Sequence, residues 1–274
     1  MAKKVKITAT HRIVLALFAL FIVVQAVGLY LGSKLIAIPE IQPVTGAVYG
    51  VGIFVYILFS TAIILLIIKY IKRFLRVMEL LAIFVSTEIF FEILLLGFVP
   101  AGAEFLPAVA LALTVTASRV FWKNILTQNI AMLLSIIGVG ALLGATLGFL
   151  PALILLGLLA IYDVVAVFKT KHMVTMAKEI VKQKLAFTLA IPTPQHVFQL
   201  GGGDLVMPLV FSVAVLREFG LVTALATVTG SMLLLMLFFA WLFKRPGRAY
   251  PALPPVTIGA IIGWAFAVLA GVLV

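Results

Sequence analysis

Two aspartates, Asp163 and Asp204, are the residues of this sequence whose type and surroundings indicate a possible catalytic role. The 274-residue chain has no other aspartate, and both lie in apolar runs without an adjacent cation. An ionised carboxylate in the middle of a membrane span costs about 2.5–3.5 kcal/mol on insertion scales, so such a residue indicates a functional site. The alternative for either one is structural, namely a protonated Asp that hydrogen-bonds to a neighbouring helix.

A pair of carboxyl groups at one site can supply both an acid and a base. Because like charges repel strongly in low-dielectric surroundings, the pair would share one proton near neutral pH. The ionised Asp then takes a proton from an attacking water, and the protonated Asp donates to a carbonyl oxygen, as in aspartic proteases. This chemistry uses no metal and no cofactor, and we expect none. The three histidines lie in terminal or loop sequence, at positions 11, 172 and 196.

The composition is that of a membrane protein. Hydrophobic residues make up 65% of the chain and charged residues 11%, against about 45–50% and about 25% in ordinary soluble domains. The absence of cysteine from the sequence excludes disulfides and thiolate metal sites. Since a span takes about 20 apolar residues, we expect an all-α membrane protein with short loops and no sizeable soluble domain.

Nine apolar runs of the sequence are candidate transmembrane helices. The predicted spans are 12–31, 47–68, 74–98, 104–120, 130–147, 149–168, 197–216, 221–243 and 252–274. We expect them to form one domain over 1–274. Its first six helices occupy about 12–168, a cytoplasmic connector 169–196, and helices seven to nine 197–274.

The positions of the basic residues predict the orientation. Connections rich and poor in Lys and Arg alternate along the chain, and of the 20 such residues only Lys34 and Arg217 fall on the poor side. By the positive-inside rule the N-terminus is cytoplasmic and, after nine crossings, the C-terminus lies outside. The net charge of +11 is then explained by the orientation of the chain, with the basic residues in contact with anionic lipid. We expect no nucleic-acid binding.

The predicted spans bring the two aspartates to a similar depth. Asp163 lies roughly 8 Å before the cytoplasmic end of span six, and Asp204 roughly 10 Å after the start of span seven if that stretch is helical. Three glycines, Gly201, Gly202 and Gly203, precede Asp204. They weaken a helix and allow backbone or substrate to approach closely, although a simple helix start would also explain them.

A proline-rich segment, Pro251 to Pro255, opens the ninth span. Prolines keep a chain extended before a helix, and extended backbone can pair with a substrate strand. The segment enters the membrane from the cytoplasmic side, so we expect it beside the two aspartates. Proline at a helix N-terminus is common, and alone this motif is weak.

Together these motifs resemble the presenilin and signal peptide peptidase family of intramembrane aspartyl proteases. The similarity lies in Tyr162-Asp163, Gly201-x-Gly203-Asp204 and Pro251-Ala252-Leu253. It implies that Asp163 and Asp204 are catalytic, and that a peptide bond within a substrate's transmembrane helix is cut after local unwinding. It also implies substrate-binding or site-shaping roles for Tyr162, Leu200, Gly201, Gly202, Gly203, Pro251, Ala252, Leu253 and Pro254.

The predicted orientation resembles that of presenilins, since signal peptide peptidases run the opposite way. The resemblance therefore favours single-span substrates whose N-terminus lies outside. The interval between the aspartates is too short for the loop that is cut in presenilin maturation, and Gly202 stands where presenilins have leucine. A chain this compact resembles prokaryotic, particularly archaeal, presenilin homologues, which implies a cell-membrane enzyme without obligatory partner subunits. Self-association stays open.

Other features have mainly structural interpretations. Residues 169–187 carry five lysines and one apolar face, which predicts an amphipathic helix lying on lipid, with a gate over the site as an alternative. Glu79 lies one turn from Arg76, so we expect an ion pair. Glycines that recur every four residues predict close helix packing, at Gly140, Gly144 and Gly148 and at Gly259 and Gly263.

Three other functions fit part of the pattern. A proton-coupled transporter would use membrane aspartates but leaves the proline-rich segment unexplained. A prepilin or preflagellin leader peptidase also has a Gly-x-Gly-Asp motif, but Tyr162-Asp163 would be unexplained there. A scaffold without chemistry predicts that neutralising both aspartates has no effect.

Overall fold

The computed structural model describes residues 2–70, 74–169, 185–186, 188–192, 197–242 and 250–271. Within these residues the fold is eight helices and one pair of strands. The helices are α1 (Ala2–Ile36), α2 (Ala47–Tyr70), α3 (Phe74–Leu95), α4 (Phe105–Phe121), α5 (Ile125–Thr146), α6 (Phe149–Val164), α7 (Gly203–Leu242) and α8 (Leu253–Leu269). A π-helical turn, Val165–Lys169, follows α6, and strands β1 (Thr188–Pro192) and β2 (Val197–Gly201) precede α7.

The helices present an apolar outer surface. Five stretches of the described chain are long and apolar enough to cross a membrane, namely Val14–Ile36, Ala47–Ile67, Ile125–Thr146, Phe149–Lys169 and Gly203–Leu242. Helices α4 and α8 are apolar but have only 17 residues each. Large apolar side chains face outward, with Leu106 75% and Leu269 87% exposed. Such a surface suits lipid rather than water.

Helix α7 is broken at Gly220. This residue has φ 79° and ψ 177°, a backbone conformation that is essentially restricted to glycine. We call the part before the break α7a (203–219) and the part after it α7b (221–242). A side chain at this position would strain the backbone, so glycine is what permits the break.

Helix α8 packs antiparallel to α7b through small residues. Gly259 lies against Gly230, and Gly263 lies against Ala226, so the partner number falls as the number on α8 rises. A Cβ atom on either α8 glycine would meet the backbone of α7b. The predicted glycine face of the last helix is confirmed.

Helix α7a lies in the centre of the bundle between α1 and α5. Glycines of both neighbours flank its leucine and valine side chains, with Gly28 and Gly140 at Leu209 and Gly32 and Gly144 at Val213. This confirms the predicted close packing of Gly140 and Gly144. Gly148 is also tightly packed, since a Cβ there would lie 3.2 Å from the Val44 carbonyl, but it is not on the same helix, because α5 ends at Thr146 and Gly148 precedes α6.

A β-hairpin replaces the predicted start of the seventh span. Residues 197–201 form β2, which pairs antiparallel with β1 and sets Leu200 opposite Leu189. Pro192 ends β1 and Gly201 ends β2, and both residue types disfavour a helix that would continue through them. Helix α7 therefore begins at Gly203, and the depth of Asp204 estimated for a helix from Val197 was wrong.

Two further predictions concern the elements around this hairpin. Helix α5 begins at Ile125, five residues earlier than span five, because Asn124 caps its N-terminus by accepting the Thr127 N–H at 2.8 Å. The predicted amphipathic helix 169–187 lies outside the described residues except for Lys169 and residues 185–186.

Candidate active site

Asp163 lies at the cytoplasmic end of α6 by the predicted orientation. It occupies the last turn of the helix, and its side chain is buried, with 8% exposed. The backbone N–H of Leu253, the first residue of α8, donates to Asp163 Oδ2 at 3.3 Å. The amino end of one helix therefore faces the carboxylate at the carboxyl end of another.

Asp204 lies in the first turn of α7a and is half-buried. It is close enough to Asp163 for the two carboxyl groups to interact electrostatically. The starts of α7a and α8 thus meet at the end of α6. Helices α7a and α8 start at the same place, and α8 runs antiparallel to α7b. The chain therefore reverses direction at Gly220, between α7a and α7b.

The glycines before Asp204 join the hairpin to the helix. Gly201 ends β2, and a Cβ built on it would lie 3.4 Å from Asp204 Oδ2. Gly202 packs on α5, where an added Cβ would come within 2.6 Å of the terminal methyl group of Met132. Gly203 opens the helix and has free space around it. Gly203 thus starts the helix, as the structural interpretation expects, and close approach of a substrate to the carboxylate stays a prediction.

Tyr162 and Leu200 support the site from outside it. The Tyr162 hydroxyl hydrogen-bonds to Thr61 of α2, and its ring meets Phe54 edge-on at 6.2 Å between centroids. Tyr162 therefore joins α6 to α2. The Leu200 side chain is 3% exposed and belongs to the apolar core.

The proline-rich segment is fixed by aromatic contacts on one side. Tyr250 meets Phe168 of the π-helical turn at 6.1 Å and Trp241 of α7b at 5.1 Å between ring centroids. Pro251 and Ala252 that follow are buried. These contacts hold the start of α8 next to the end of α6.

One buried side chain near the site was not predicted. Gln25 of α1 is 1% exposed and donates to the Leu205 carbonyl at 3.4 Å. This carbonyl is next to that of Asp204, which lacks its usual helical donor because Pro208 has no N–H. A single amide in an otherwise apolar first span is the signal that could have identified Gln25.

An open groove runs beside the glycine motif. It has a volume of about 430 Å³ and lies between α3, α5 and the start of α7a, with apolar walls that include Val85, Met132 and Val206. Its polar lining includes Ser86 and Ser135, whose hydroxyl groups hydrogen-bond to each other at 2.6 Å. The groove reaches Gly202 and Gly203.

The fold and the site define a class of protein, a multi-pass helical membrane protein with two aspartates on adjoining helix ends. The family model described as "Signal-peptide peptidase, presenilin aspartyl protease" matches residues 18–197. The chain belongs to this family of intramembrane aspartyl proteases and is therefore a hydrolase by family. The matched range includes Asp163 and stops before Asp204.

Two solved structures of presenilin-family intramembrane aspartate proteases are similar over almost their whole length. One, in space group C222, is 25% identical with a TM-score of 0.72 and covers 94% of this chain and 99% of its own. The other, in space group P2, is 26% identical with a TM-score of 0.71 and covers 93% and 97%. A comparison with curated proteins finds no match.

Proposed function

We propose that the protein hydrolyses peptide bonds within the transmembrane segments of single-span membrane proteins, with Asp163 and Asp204 as its catalytic pair. The observation that carries this proposal is the hydrogen bond from the Leu253 N–H at the start of α8 to Asp163 at the end of α6, with Asp204, in the first turn of α7a, near enough to Asp163 to interact electrostatically. Two carboxyl groups at one site, one ionised and one protonated, are what amide hydrolysis by general acid and base catalysis needs.

The two aspartates have different surroundings, which supports different roles. Asp163 accepts the Leu253 N–H at the start of α8, and both that hydrogen bond and the positive end of the helix favour a carboxylate. Asp163 then takes a proton from the attacking water. Asp204 is the partner that donates a proton to the carbonyl oxygen of the bond being cut.

The free edge of β2 is suited to bind an unwound substrate. Ala190 of β1 directs its N–H and C=O away from β2, to Asn129 of α5. Ala190 and its partner Gln199 are therefore a non-hydrogen-bonded pair, and antiparallel alternation turns the backbone groups of Gln199 and Gly201 towards the outer edge of β2. Within the described residues, these groups have no backbone partner.

A substrate strand added at that edge would lie beside the catalytic pair. Gly201 is the last residue of β2 and adjoins the Asp204 carboxyl group. Main-chain pairing of this kind binds extended peptide of many sequences. The apolar groove between α3 and α5 offers the neighbouring helical part of the substrate a path from the lipid.

The finer topology belongs to the same proposal. If α7a and α7b each cross the membrane, the eight helices of the described residues make nine crossings. The lysine and arginine distribution favours a cytoplasmic N-terminus and an outside C-terminus. Substrates would then have their N-terminus outside. The short interval between the aspartates supports a prokaryotic cell-membrane enzyme that works without partner subunits.

Reconstitution of the purified protein in liposomes with a single-span substrate tests the proposal. We expect intramembrane cleavage by the wild type and its loss, by at least about 10³-fold, in both Asp163→Asn and Asp204→Asn. Glu92→Gln is the matched control, because it also neutralises a carboxylate but at an exposed position of α3. Activity in an Asp variant equal to that of this control would contradict the proposal.

The same liposomes distinguish the alternative functions. A transporter would show proton flux that depends on either aspartate without any cut in several substrates. A leader peptidase would cut a preflagellin leader at the cytoplasmic surface and leave transmembrane segments intact. Either result would replace the proposed function.

A further inference from the structure

The outer edge of β1 is bound by side-chain amides of α5. Asn129 donates through Nδ2 to the Ala190 carbonyl at 2.8 Å and accepts the Ala190 N–H through Oδ1, also at 2.8 Å. Gln128 donates to the Thr188 carbonyl at 2.7 Å. A side chain that donates to and accepts from one strand residue makes the pair of bonds that a neighbouring strand would make.

A buried carboxylate binds the segment that leads into β1. Glu79 Oε1 accepts the Ala186 N–H at 2.7 Å and the Nε–H of Arg119 at 3.1 Å. Glu79 is completely buried, and Arg119 is 1% exposed. Residue 186 is thereby attached to α3 and α4, two residues before the hairpin starts.

Helix α5 also contacts the turn that carries Asp204. Met132, one turn after Asn129, packs directly on Gly202. The same helix therefore holds β1 at Ala190 and the glycine turn at Gly202. An isolated two-stranded hairpin is marginally stable at best, so these contacts determine where the free edge of β2 stands relative to the catalytic pair.

We infer that Asn129 is a positioning residue that fixes the register of the bound substrate against Asp204, with Gln128 and Glu79 in supporting roles. This inference rests on the proposed function. Because the α5 amides bind the outer edge of β1, only the outer edge of β2 is left for the substrate. The same contacts keep the β2 edge in a fixed position. Because strand faces alternate with a period of two, an undocked hairpin would let the substrate slip by two residues.

The test measures where the substrate is cut as well as how fast. In Asn129→Ala we expect kcat to fall by about 10-fold with KM changed by less than about twofold, because misplacement acts on the chemical step. Mass spectrometry should show new products displaced by about two residues from the main wild-type cut. Gln128→Ala should give the same displaced products in smaller amount.

Asn124→Ala is the matched control, since it removes an asparagine that caps the same helix without touching β1. It should lower thermal stability and leave the cut positions unchanged, which separates positioning from folding. Wild-type cut positions and kcat in both Asn129→Ala and Gln128→Ala would overturn the inference while the proposed function stands. Absence of any intramembrane cut by the wild type would overturn both.

Discussion

At the scale of single residues, Glu79 has the most informative surroundings. The predicted pair with Arg76 is confirmed, with Arg76 and Glu79 joined at 2.7 Å. The sequence did not reveal Arg119 and Ala186, because they lie far from Glu79 along the chain. In the sequence Arg119 is only one of the basic residues on the cytoplasmic side of the predicted topology, yet it is buried and paired with Glu79.

We predict that Glu79→Ala lowers the free energy of unfolding by about 3–5 kcal/mol, because it leaves a buried arginine without its carboxylate. Thermal or denaturant unfolding in detergent measures this change. Arg76→Ala is the control, since the Arg76 side chain is 25% exposed and a partly exposed pair is worth about 0–1 kcal/mol. Equal effects of the two substitutions would contradict a buried anchor.

The predictability of the site differed between its residues. Asp163 and Asp204 stood out because charges are rare in apolar spans, and the segment Pro251 to Pro255 stood out because three of its five residues are prolines. Gln25 and Asn129 did not, since their roles depend on carbonyl and N–H groups that only the folded chain brings near them. The proposed catalytic and site-shaping roles remain predictions until the variants are assayed.

At the scale of elements, the packing of α8 on α7b gives a direct prediction. Gly263→Ala places a Cβ against the backbone of Ala226, which cannot rotate aside as a side chain would. We expect it to cost about 1–3 kcal/mol of stability. Gly157→Ala in α6 is the control: nothing lies within 4 Å of its Cβ position, so a gain of about 0.5–1 kcal/mol is expected.

Unfolding midpoints of these two variants, measured in the same detergent, decide the matter. A destabilised Gly157→Ala beside an unchanged Gly263→Ala would mean that α8 and α7b are not packed as described.

Strongly apolar helices were predictable because lipid-facing and core-facing residues are both apolar. The hairpin was not, because a short apolar run does not distinguish strand from helix by periodicity.

At the scale of the whole molecule, the orientation in the membrane is testable with single cysteines, since the natural sequence has none. We predict that a membrane-impermeant maleimide labels Lys123→Cys from the cytoplasmic side and Glu40→Cys from the outside. Both positions are exposed and lie between helices. The two variants are controls for each other in sealed right-side-out and inverted vesicles.

The reverse labelling pattern would give the orientation of signal peptide peptidases and would change the expected substrates. Identical labelling of both positions from one side would contradict the crossings through α2, α3 and α4. The charge distribution predicts this orientation from sequence alone, because membrane insertion responds to lysines and arginines near the spans. No contact between helices is needed for that prediction.

The position of the cut in a reconstituted single-span substrate tests the central claim most directly. Products are analysed by mass spectrometry after reaction of the wild type in ¹⁸O-labelled water. We predict that the wild type breaks a bond within the substrate's transmembrane segment and leaves one ¹⁸O atom in the new carboxyl terminus. Neither fragment of the substrate should form with Asp163→Asn or Asp204→Asn. A cut confined to the aqueous flanks, or one that survives loss of either aspartate, would contradict the claim.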